Sequence, residues 1–159
     1  MDLAAIAFDV NGTLIEIRTD DHLQDAFRAV GHYLTYQGID LRRHHLSELY
    51  FDRLKAQQRA SPEVHPEFDG PGIWRSIVED FASDYTRALP PQRLAELPLT
   101  LAEIYRGVTR RKLKLYPHVR STLRILRQHF PLAIVSDGQS TYARGELHKV
   151  GLTEFFDPI

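Results

Sequence analysis

Three absences limit what this 159-residue chain can be. It contains no cysteine, which excludes disulfide bonds and metal sites built from thiolates. It has no apolar stretch near the roughly 20 residues of a membrane-spanning helix, and its start, MDLAAIAFDV, lacks the basic segment of a signal peptide. Neither charge is in excess, with 20 Lys and Arg against 21 Asp and Glu, which argues against a nucleic-acid or membrane surface. We therefore expect a cytoplasmic protein that binds neither nucleic acid nor membrane.

Short apolar segments and helical spacing indicate an α/β fold. Leu3–Phe8 and Leu132–Val135 are wholly apolar and show no helical period, as expected for strands of a parallel sheet buried on both faces. Phe155-Phe156 begins a predicted third strand. Between the first two strands, roughly a hundred residues carry apolar side chains at helical spacing. This order of elements predicts an α/β protein with a helical insertion after its first strand.

Capping residues and apolar spacing define the predicted helices. Thr19 is placed to cap the first of them, and Ser140 the last. Gly151 is placed to end the last helix. The predicted helices cover residues 20–38, 46–54, 73–85, 94–108, 117–128 and 140–150.

The stretch FDVNGTL, residues 8–14, allows two interpretations. Asn11-Gly12 between apolar runs is a strong signal for a β-hairpin turn. Alternatively, Asp9 follows the first strand with a carboxylate, and Ser136 follows the second with a hydroxyl. The carboxyl ends of parallel strands meet at one edge of a sheet, where ligands bind. A carboxylate, hydroxyl groups and backbone N–H groups made accessible by glycine at that edge favour a site for phosphate or another small anion.

With these motifs in this order, the sequence resembles the haloacid dehalogenase-like (HAD) hydrolase superfamily. FDVNGTL is similar to its first motif, an apolar strand followed by Asp-x-Asp-Gly-Thr-Leu. LAIVSDG is similar to its second, an apolar strand ending in Ser or Thr, and LYPHVRSTLRILRQHF and LHKVGLTEFFDPI resemble its flanks. The resemblance implies a Rossmann-like parallel-sheet core formed by residues 1–14 and 113–159, with a helical cap inserted at 15–112.

The resemblance implies hydrolysis through an aspartate nucleophile, most simply on a small phosphorylated, anionic metabolite. Asp9 would attack a phosphoryl group and form an aspartyl-phosphate that water hydrolyses. The Asp9 carboxylate and the backbone carbonyl of Asn11 would help to hold Mg²⁺, the implied cofactor, which neutralises and orients the phosphate. Thr13 would support the catalytic loop.

Four further residues are implied to bind the phosphate. Ser136 would donate a hydrogen bond to the transferring group, and Gly12 would allow the chain to turn sharply. Asp137 and Gly138 would offer backbone N–H groups. An ordinary turn or cap role is the plain alternative for Ser136.

Asn11 departs from the family pattern, which usually has Asp here as general acid and base. An amide performs neither role, and such assistance is worth ~10²–10⁴ in rate, so alkyl phosphates should be poorer substrates than aryl or acyl phosphates. A 2-haloacid dehalogenase-type hydrolase is one alternative, because halide leaves without a proton, although the charge of Asp137 would repel it. A non-catalytic remnant that binds phosphate or a partner protein is another.

The family pattern also continues, after the third strand, with a lysine and an acidic metal-binding pair that these residues do not include. A later strand of the family sheet lies beside the first one. Without that strand, the apolar strand at 3–8 would present an exposed edge that can pair with another chain. We therefore expect homo-oligomer formation, domain exchange or aggregation through this edge.

Overall fold

The computed structural model describes residues 4–64, 66–136 and 139–156. The chain forms two compact units: a sheet unit, Met1–Thr19 with Arg110–Ile159, and a helical unit, Asp20–Thr109. In chain order the elements are β1 (Ile6–Phe8), β2 (Ile15–Thr19), α1 (Gln24–Tyr36), α2 (Arg43–Ala60), α3 (Gly70–Phe81), α4 (Asp84–Arg87), α5 (Pro91–Thr109), β3 (Arg110–Leu115), α6 (Val119–Arg127), β4 (Leu132–Ile134), α7 (Ser140–Lys149) and a 3₁₀ turn (Thr153–Phe155).

A parallel pair of strands lies at the centre of the sheet unit. Ile6 of β1 is opposite Leu132 of β4, and Phe8 is opposite Ile134. The ladder continues beyond β4, since the Val135 amide donates a hydrogen bond to the Phe8 carbonyl at 2.9 Å. The two apolar segments therefore form neighbouring parallel strands, and the predicted mixed α/β fold is confirmed.

An antiparallel ribbon is the second sheet of this unit. Ile15 and Ile17 of β2 lie opposite Leu115 and Leu113 of β3, with a shift of register near Thr19. The ribbon is absent from the sequence-based prediction, because the basic run RRK hides the alternation of Leu and Lys that follows it. Because the ribbon joins residues 15–19 to residues 110–115, the two compact units divide at 19/20 and 109/110.

The structure differs from two sequence predictions about strands. Phe155 lies in the 3₁₀ turn at Thr153–Phe155 and does not begin a strand, whereas Phe156 has extended backbone and the residues that would continue a third strand lie outside the described part of the chain. The Phe155 amide donates to the Leu152 carbonyl, and the rings of Phe155 and Phe156 pack into the core instead. The strand β1 is not buried on both faces, because Ala7 at its centre is exposed.

The loop that follows β1 is anchored in the core of the sheet unit. Val10, Leu14 and Ile15 are almost completely buried, whereas residues 11–13 between them are exposed. The buried residues therefore hold the two ends of the loop in the core and leave its polar tip exposed. The other buried members of this core are Leu123, Leu132, Leu147, Leu152, Phe155 and Phe156.

Aromatic side chains fill the core of the helical unit. The ring of Tyr50 lies 4.8 Å from the rings of both Trp74 and Tyr105, and Phe27 lies 5.4 Å from Tyr105. The sequence predicts that Thr19 caps the first helix, and this prediction is wrong. Thr19 belongs to β2, and α1 begins at Gln24. Within the described ranges, none of the helices is both long enough and apolar enough to cross a membrane.

Candidate active site

The residues that follow β1 form a tight loop and not a hairpin. The Val10 carbonyl accepts hydrogen bonds from the Leu14 amide at 2.9 Å and the Ile15 amide at 3.1 Å. Gly12 has a φ of 80° and donates to the Ile15 carbonyl at 2.9 Å. This left-handed conformation strains residues with a Cβ, which explains the glycine. Because β1 pairs with β4 and β2 pairs with β3, the hairpin interpretation of Asn11-Gly12 is wrong.

Asp9 is the first residue beyond β1, and it is half-buried. The Thr13 hydroxyl donates a hydrogen bond to Asp9 Oδ2 at 3.1 Å. Within the described chain no second hydrogen bond to this carboxylate is present, so Oδ1 can contact a ligand. The loop therefore holds the carboxylate by one oxygen and presents the other at the carboxyl edge of the sheet.

Ser136 lies at the same edge of the sheet as Asp9. It follows β4 by two residues, and the hydrogen bond between Val135 and Phe8 keeps the two chains in register up to this point. Neighbouring strands lie about 4.8 Å apart. The structure thus brings Asp9, the Asn11–Thr13 loop and Ser136 together in the sheet unit, as the strand order predicts. Asp137 and Gly138 are outside the described residues.

Asn11 lies at the exposed tip of the loop. Its side-chain amide makes no hydrogen bond to the part of the chain that the structure describes. An amide neither donates nor accepts a proton in acid–base catalysis at neutral pH. The site as described therefore contains a carboxylate and hydroxyl groups, and the side chain at position 11 adds no acid–base group to them.

A small cavity lies beside the loop and includes residues that sequence reasoning does not single out. It has a volume of about 190 Å³ and is lined by Thr13 together with side chains from β1, the loop and α6. The Tyr116 amide donates to the Leu14 carbonyl at 3.2 Å, which brings the start of α6 to the loop. His118, the N-cap of α6, adopts a left-handed φ of 65°. The other lining residues are Phe8, Leu14, Pro117, Val119, Thr122 and Leu123.

The described residues offer only part of a Mg²⁺ site. No group of three acidic or histidine side chains suited to a metal is found among them. Asp9 contributes a carboxylate, and the Asn11 carbonyl is a second oxygen donor. Mg²⁺ in proteins often keeps several waters and takes one or two carboxylates, with substrate phosphates completing its shell. The donor set therefore fits a water-rich Mg²⁺ site but not an all-protein one.

A charge network on the ribbon follows directly after the loop. The Lys112 ammonium lies 2.6 Å from the Glu16 carboxylate, and the Arg18 guanidinium lies 3.2 Å from it. The hydrogen bond from Lys112 is the main reason why the pKa of Glu16 is below its ordinary value. Burial opposes this shift, and the positive charges of Lys112, Arg18 and Lys114 add to it.

Nearly the whole sequence matches one family model. The model of the haloacid dehalogenase-like hydrolases matches residues 3–159. The chain therefore belongs to the haloacid dehalogenase-like hydrolases, and the resemblance carried by FDVNGTL and LAIVSDG is confirmed. Among curated proteins, no significant match to the chain is found.

Solved structures with a similar fold are longer than this chain. A 2-haloacid dehalogenase from Pseudomonas syringae pv. tomato DC3000 is 20% identical with a TM-score of 0.50, over 98% of this chain and 62% of that one. YfnB from Bacillus subtilis, a candidate HAD-hydrolase solved bound to magnesium, is 20% identical with a TM-score of 0.43, over 98% and 62%. A predicted phosphoglycolate phosphatase from Haemophilus somnus 129pt is 18% identical with a TM-score of 0.40, over 97% and 60%. The chain thus spans about 60% of the length of these proteins.

Proposed function

We propose that the protein is a hydrolase that uses Asp9 as its nucleophile on a small phosphorylated metabolite. The observation that carries this proposal is the hydrogen bond from Thr13 to Asp9 at the carboxyl edge of the parallel strands. A carboxylate fixed through one oxygen presents the other for attack. Ser136, after the neighbouring strand, is suited to donate a hydrogen bond to a bound phosphate.

The proposed reaction has two displacements at phosphorus. Asp9 Oδ1 bonds to phosphorus, and the bond from phosphorus to the leaving oxygen breaks, with its electron pair going to that oxygen. Water then attacks phosphorus of the aspartyl-phosphate and loses a proton to solvent. The bond from phosphorus to Asp9 breaks, which releases inorganic phosphate and restores the carboxylate.

Asn11 sets the proposed preference among phosphate esters. An alkoxide leaving group needs a proton in the transition state, and the amide of Asn11 has none to give. A phenolate or a carboxylate leaves unprotonated at neutral pH, so aryl and acyl phosphates avoid this cost in the first step. We therefore expect these substrates to be turned over faster than alkyl phosphates by about 10²-fold or more.

Mg²⁺ is the proposed cofactor, and two residues of this chain would contact it. These are Asp9, through its carboxylate, and Asn11, through its backbone carbonyl. Bound there, the ion would neutralise phosphate charge. The remaining oxygen donors would be waters, the substrate or residues outside the described part of the chain.

A 2-haloacid dehalogenase is the second candidate, and the side chain at position 11 favours it. Halide leaves carbon without a proton, so an amide at Asn11 costs this reaction nothing in its first step. The two chemistries differ in where water attacks: at phosphorus of an aspartyl-phosphate, or at the carboxyl carbon of an Asp9 ester. Turnover in water labelled with heavy oxygen therefore labels released phosphate in the first case and the Asp9 side chain in the second.

Replacement of the nucleophile separates catalysis from mere binding of phosphate or of a partner protein. Asp9→Asn removes the attacking carboxylate and keeps its shape, and Asp52→Asn makes the same change on an exposed surface of α2. We expect turnover of an aryl phosphate to fall by about 10³-fold or more in the first variant only. Equal turnover in both variants would contradict the catalytic proposal and leave a binding role.

We also propose that β1 pairs with a second copy of the chain. Within the described residues β1 has a strand neighbour on one side only, and Ala7 at its centre is exposed. An unpaired apolar edge is a template for strand pairing, and a lysine on it blocks such pairing. Light scattering over a range of concentrations should give an oligomer that Ala7→Lys converts to a monomer. A wild-type monomer at every concentration would contradict this.

A further inference from the structure

We propose that Asn11-Gly12 is a site of spontaneous modification, at which Asn11 deamidates to a carboxylate that raises the turnover of alkyl phosphates. The catalytic consequence rests on the proposed function, whereas the modification itself does not. Asn11 is the only asparagine in the chain. It is exposed, and no hydrogen bond from the described residues holds its amide in place.

The reaction needs only the two neighbouring residues and water. The backbone nitrogen of Gly12 loses its proton and attacks the side-chain carbonyl carbon of Asn11. The bond to the amide nitrogen breaks, and that nitrogen takes up the proton through water and leaves as ammonia. The product is a five-membered imide, which water opens to aspartate or isoaspartate. Glycine does not shield its nitrogen with a side chain. Apart from its two chain neighbours, no atom of the described residues lies within 4 Å of the point where a Cβ of Gly12 would be.

One backbone contact restrains this reaction. The Gly12 amide donates a hydrogen bond to the Ile15 carbonyl at 2.9 Å, and the attack requires that bond to open. Exposed loop tips open at a low free-energy cost compared with core elements. Because Val10 and Leu14 are buried, they would stay in the core while residues 11–13 open. The rate of modification therefore reports the local opening of the loop.

The consequence for catalysis follows from the new carboxyl group. At position 11 it lies two residues after the proposed nucleophile, Asp9, where it can protonate a leaving oxygen and later activate water. Such assistance is worth ~10²–10⁴ in rate, so conversion of about 1% of the molecules to normal aspartate would raise the turnover of an alkyl phosphate about twofold or more. Aryl phosphates should gain much less, because their first step needs no proton.

The test follows mass and activity in the same samples. Wild type, Asn11→Gln and Asn11→Asp are incubated at mildly alkaline pH, then analysed by intact mass, peptide mapping and hydrolysis of an alkyl phosphate. Asn11→Gln keeps an amide but would need a slower six-membered ring, so it measures the background from the glutamines. The Asp-Gly pairs at 69–70 and 137–138 isomerise without a change in mass.

We expect the wild-type mass to rise with time at the peptide that contains Asn11, while Asn11→Gln stays constant. Alkyl-phosphate turnover should rise in proportion to the fraction converted to normal aspartate. If the wild-type mass stays as constant over time as the mass of Asn11→Gln, the proposed modification is overturned. A rise in mass without a gain in turnover, when Asn11→Asp is active, would overturn its catalytic consequence. Failure of both the wild type and Asn11→Asp to hydrolyse any phosphate, aryl phosphates included, would instead overturn the proposed function.

Discussion

The helical unit and the sheet unit use their residues for different purposes. The helical unit buries the rings of Phe27, Tyr50 and Trp74 almost completely. The sheet unit has short strands, and it exposes the Asn11–Thr13 turn at the carboxyl edge of one of them. Burial of apolar surface stabilises a fold, whereas an exposed polar loop on a rigid strand gives chemistry access to ligands. We therefore expect core substitutions in the helical unit to change stability and loop substitutions in the sheet unit to change activity.

The largest effect is expected at Trp74. Truncation to alanine removes a fully buried ring that packs on Tyr50 and Tyr105, and should lower the free energy of unfolding by about 3–5 kcal/mol. Trp74→Phe is the matched control, because it keeps a ring and removes an indole N–H that has no hydrogen-bond partner within the described chain. Urea denaturation, monitored by circular dichroism, measures the free energy of unfolding of both variants. Equal losses in the two variants would show that the ring does not stabilise the core.

Thr13 should have the next largest effect, on activity and not on stability. Thr13→Val keeps the shape of the side chain and removes the hydrogen bond to Asp9. A hydrogen bond to a charged group is worth about 1.5–3 kcal/mol, so we expect turnover of an aryl phosphate to fall about 10- to 100-fold. Thr122→Val, in the same cavity but without a bond to Asp9, is the control. An unchanged rate in Thr13→Val would show that this bond does not orient the nucleophile.

Substitutions of two glycines in the helical unit test how its stability depends on backbone conformation and packing. Gly38 follows α1 with a φ of 86°, and a Cβ there would lie 2.7 Å from Ser83 Oγ and 2.8 Å from a ring carbon of Tyr85. Gly38→Ala should lower the free energy of unfolding by about 1–2 kcal/mol. Gly107→Ala lies within α5, where the added methyl meets no described atom within 4 Å apart from its chain neighbours and the backbone of its own helix, and should stabilise by about 0.5–1 kcal/mol. Thermal unfolding of both variants is the measurement. A change in stability of the same sign in both would show that the left-handed conformation and the close contacts at Gly38 do not decide the effect of a Cβ.

The smallest effect concerns Glu16 on the ribbon. Its pKa is lowered mainly by the hydrogen bond from Lys112, so Lys112→Met should raise the pKa towards the ordinary value near 4.3. Because the folded-state pKa is depressed, Glu16 stabilises the fold above its unfolded pKa. That stabilisation is lost as the pH falls through the folded pKa.

An NMR titration of the Glu16 carboxyl group measures this shift. Lys114→Met is the control, because the charge of Lys114 is the weakest of the causes that lower this pKa. A pKa that rises equally in both variants would rule out the close Lys112 contact as the main cause.

The regular parts of the fold could be predicted because local patterns determine them. The two apolar segments became neighbouring parallel strands, and Gly151, with a φ of 65°, follows α7 as the spacing predicts. The errors lie where tertiary contacts outweigh local signals. Thr19 has the character of a helix cap but pairs in β2, and Phe155 has that of a strand residue but packs its ring into the core from a 3₁₀ turn.

The candidate site could be predicted in position but not in detail. Strand order was sufficient to place Asp9 and Ser136 at one edge, since parallel strands share their carboxyl ends. The bond from Thr13 to Asp9 depends on the left-handed Gly12 and on two amides that donate to the Val10 carbonyl, and spacing alone does not show it. The catalytic and binding roles of these residues stay predictions.

The most direct test of the central claim is to trap the covalent intermediate. A reaction with an aryl phosphate, quenched with acid during turnover and digested, is analysed by peptide mass spectrometry. The account predicts the mass of a phosphoryl group on Asp9, in the wild type and not in Asp9→Asn. Phosphate release by the wild type without any adduct on Asp9, and at an equal rate in Asp9→Asn, would contradict it.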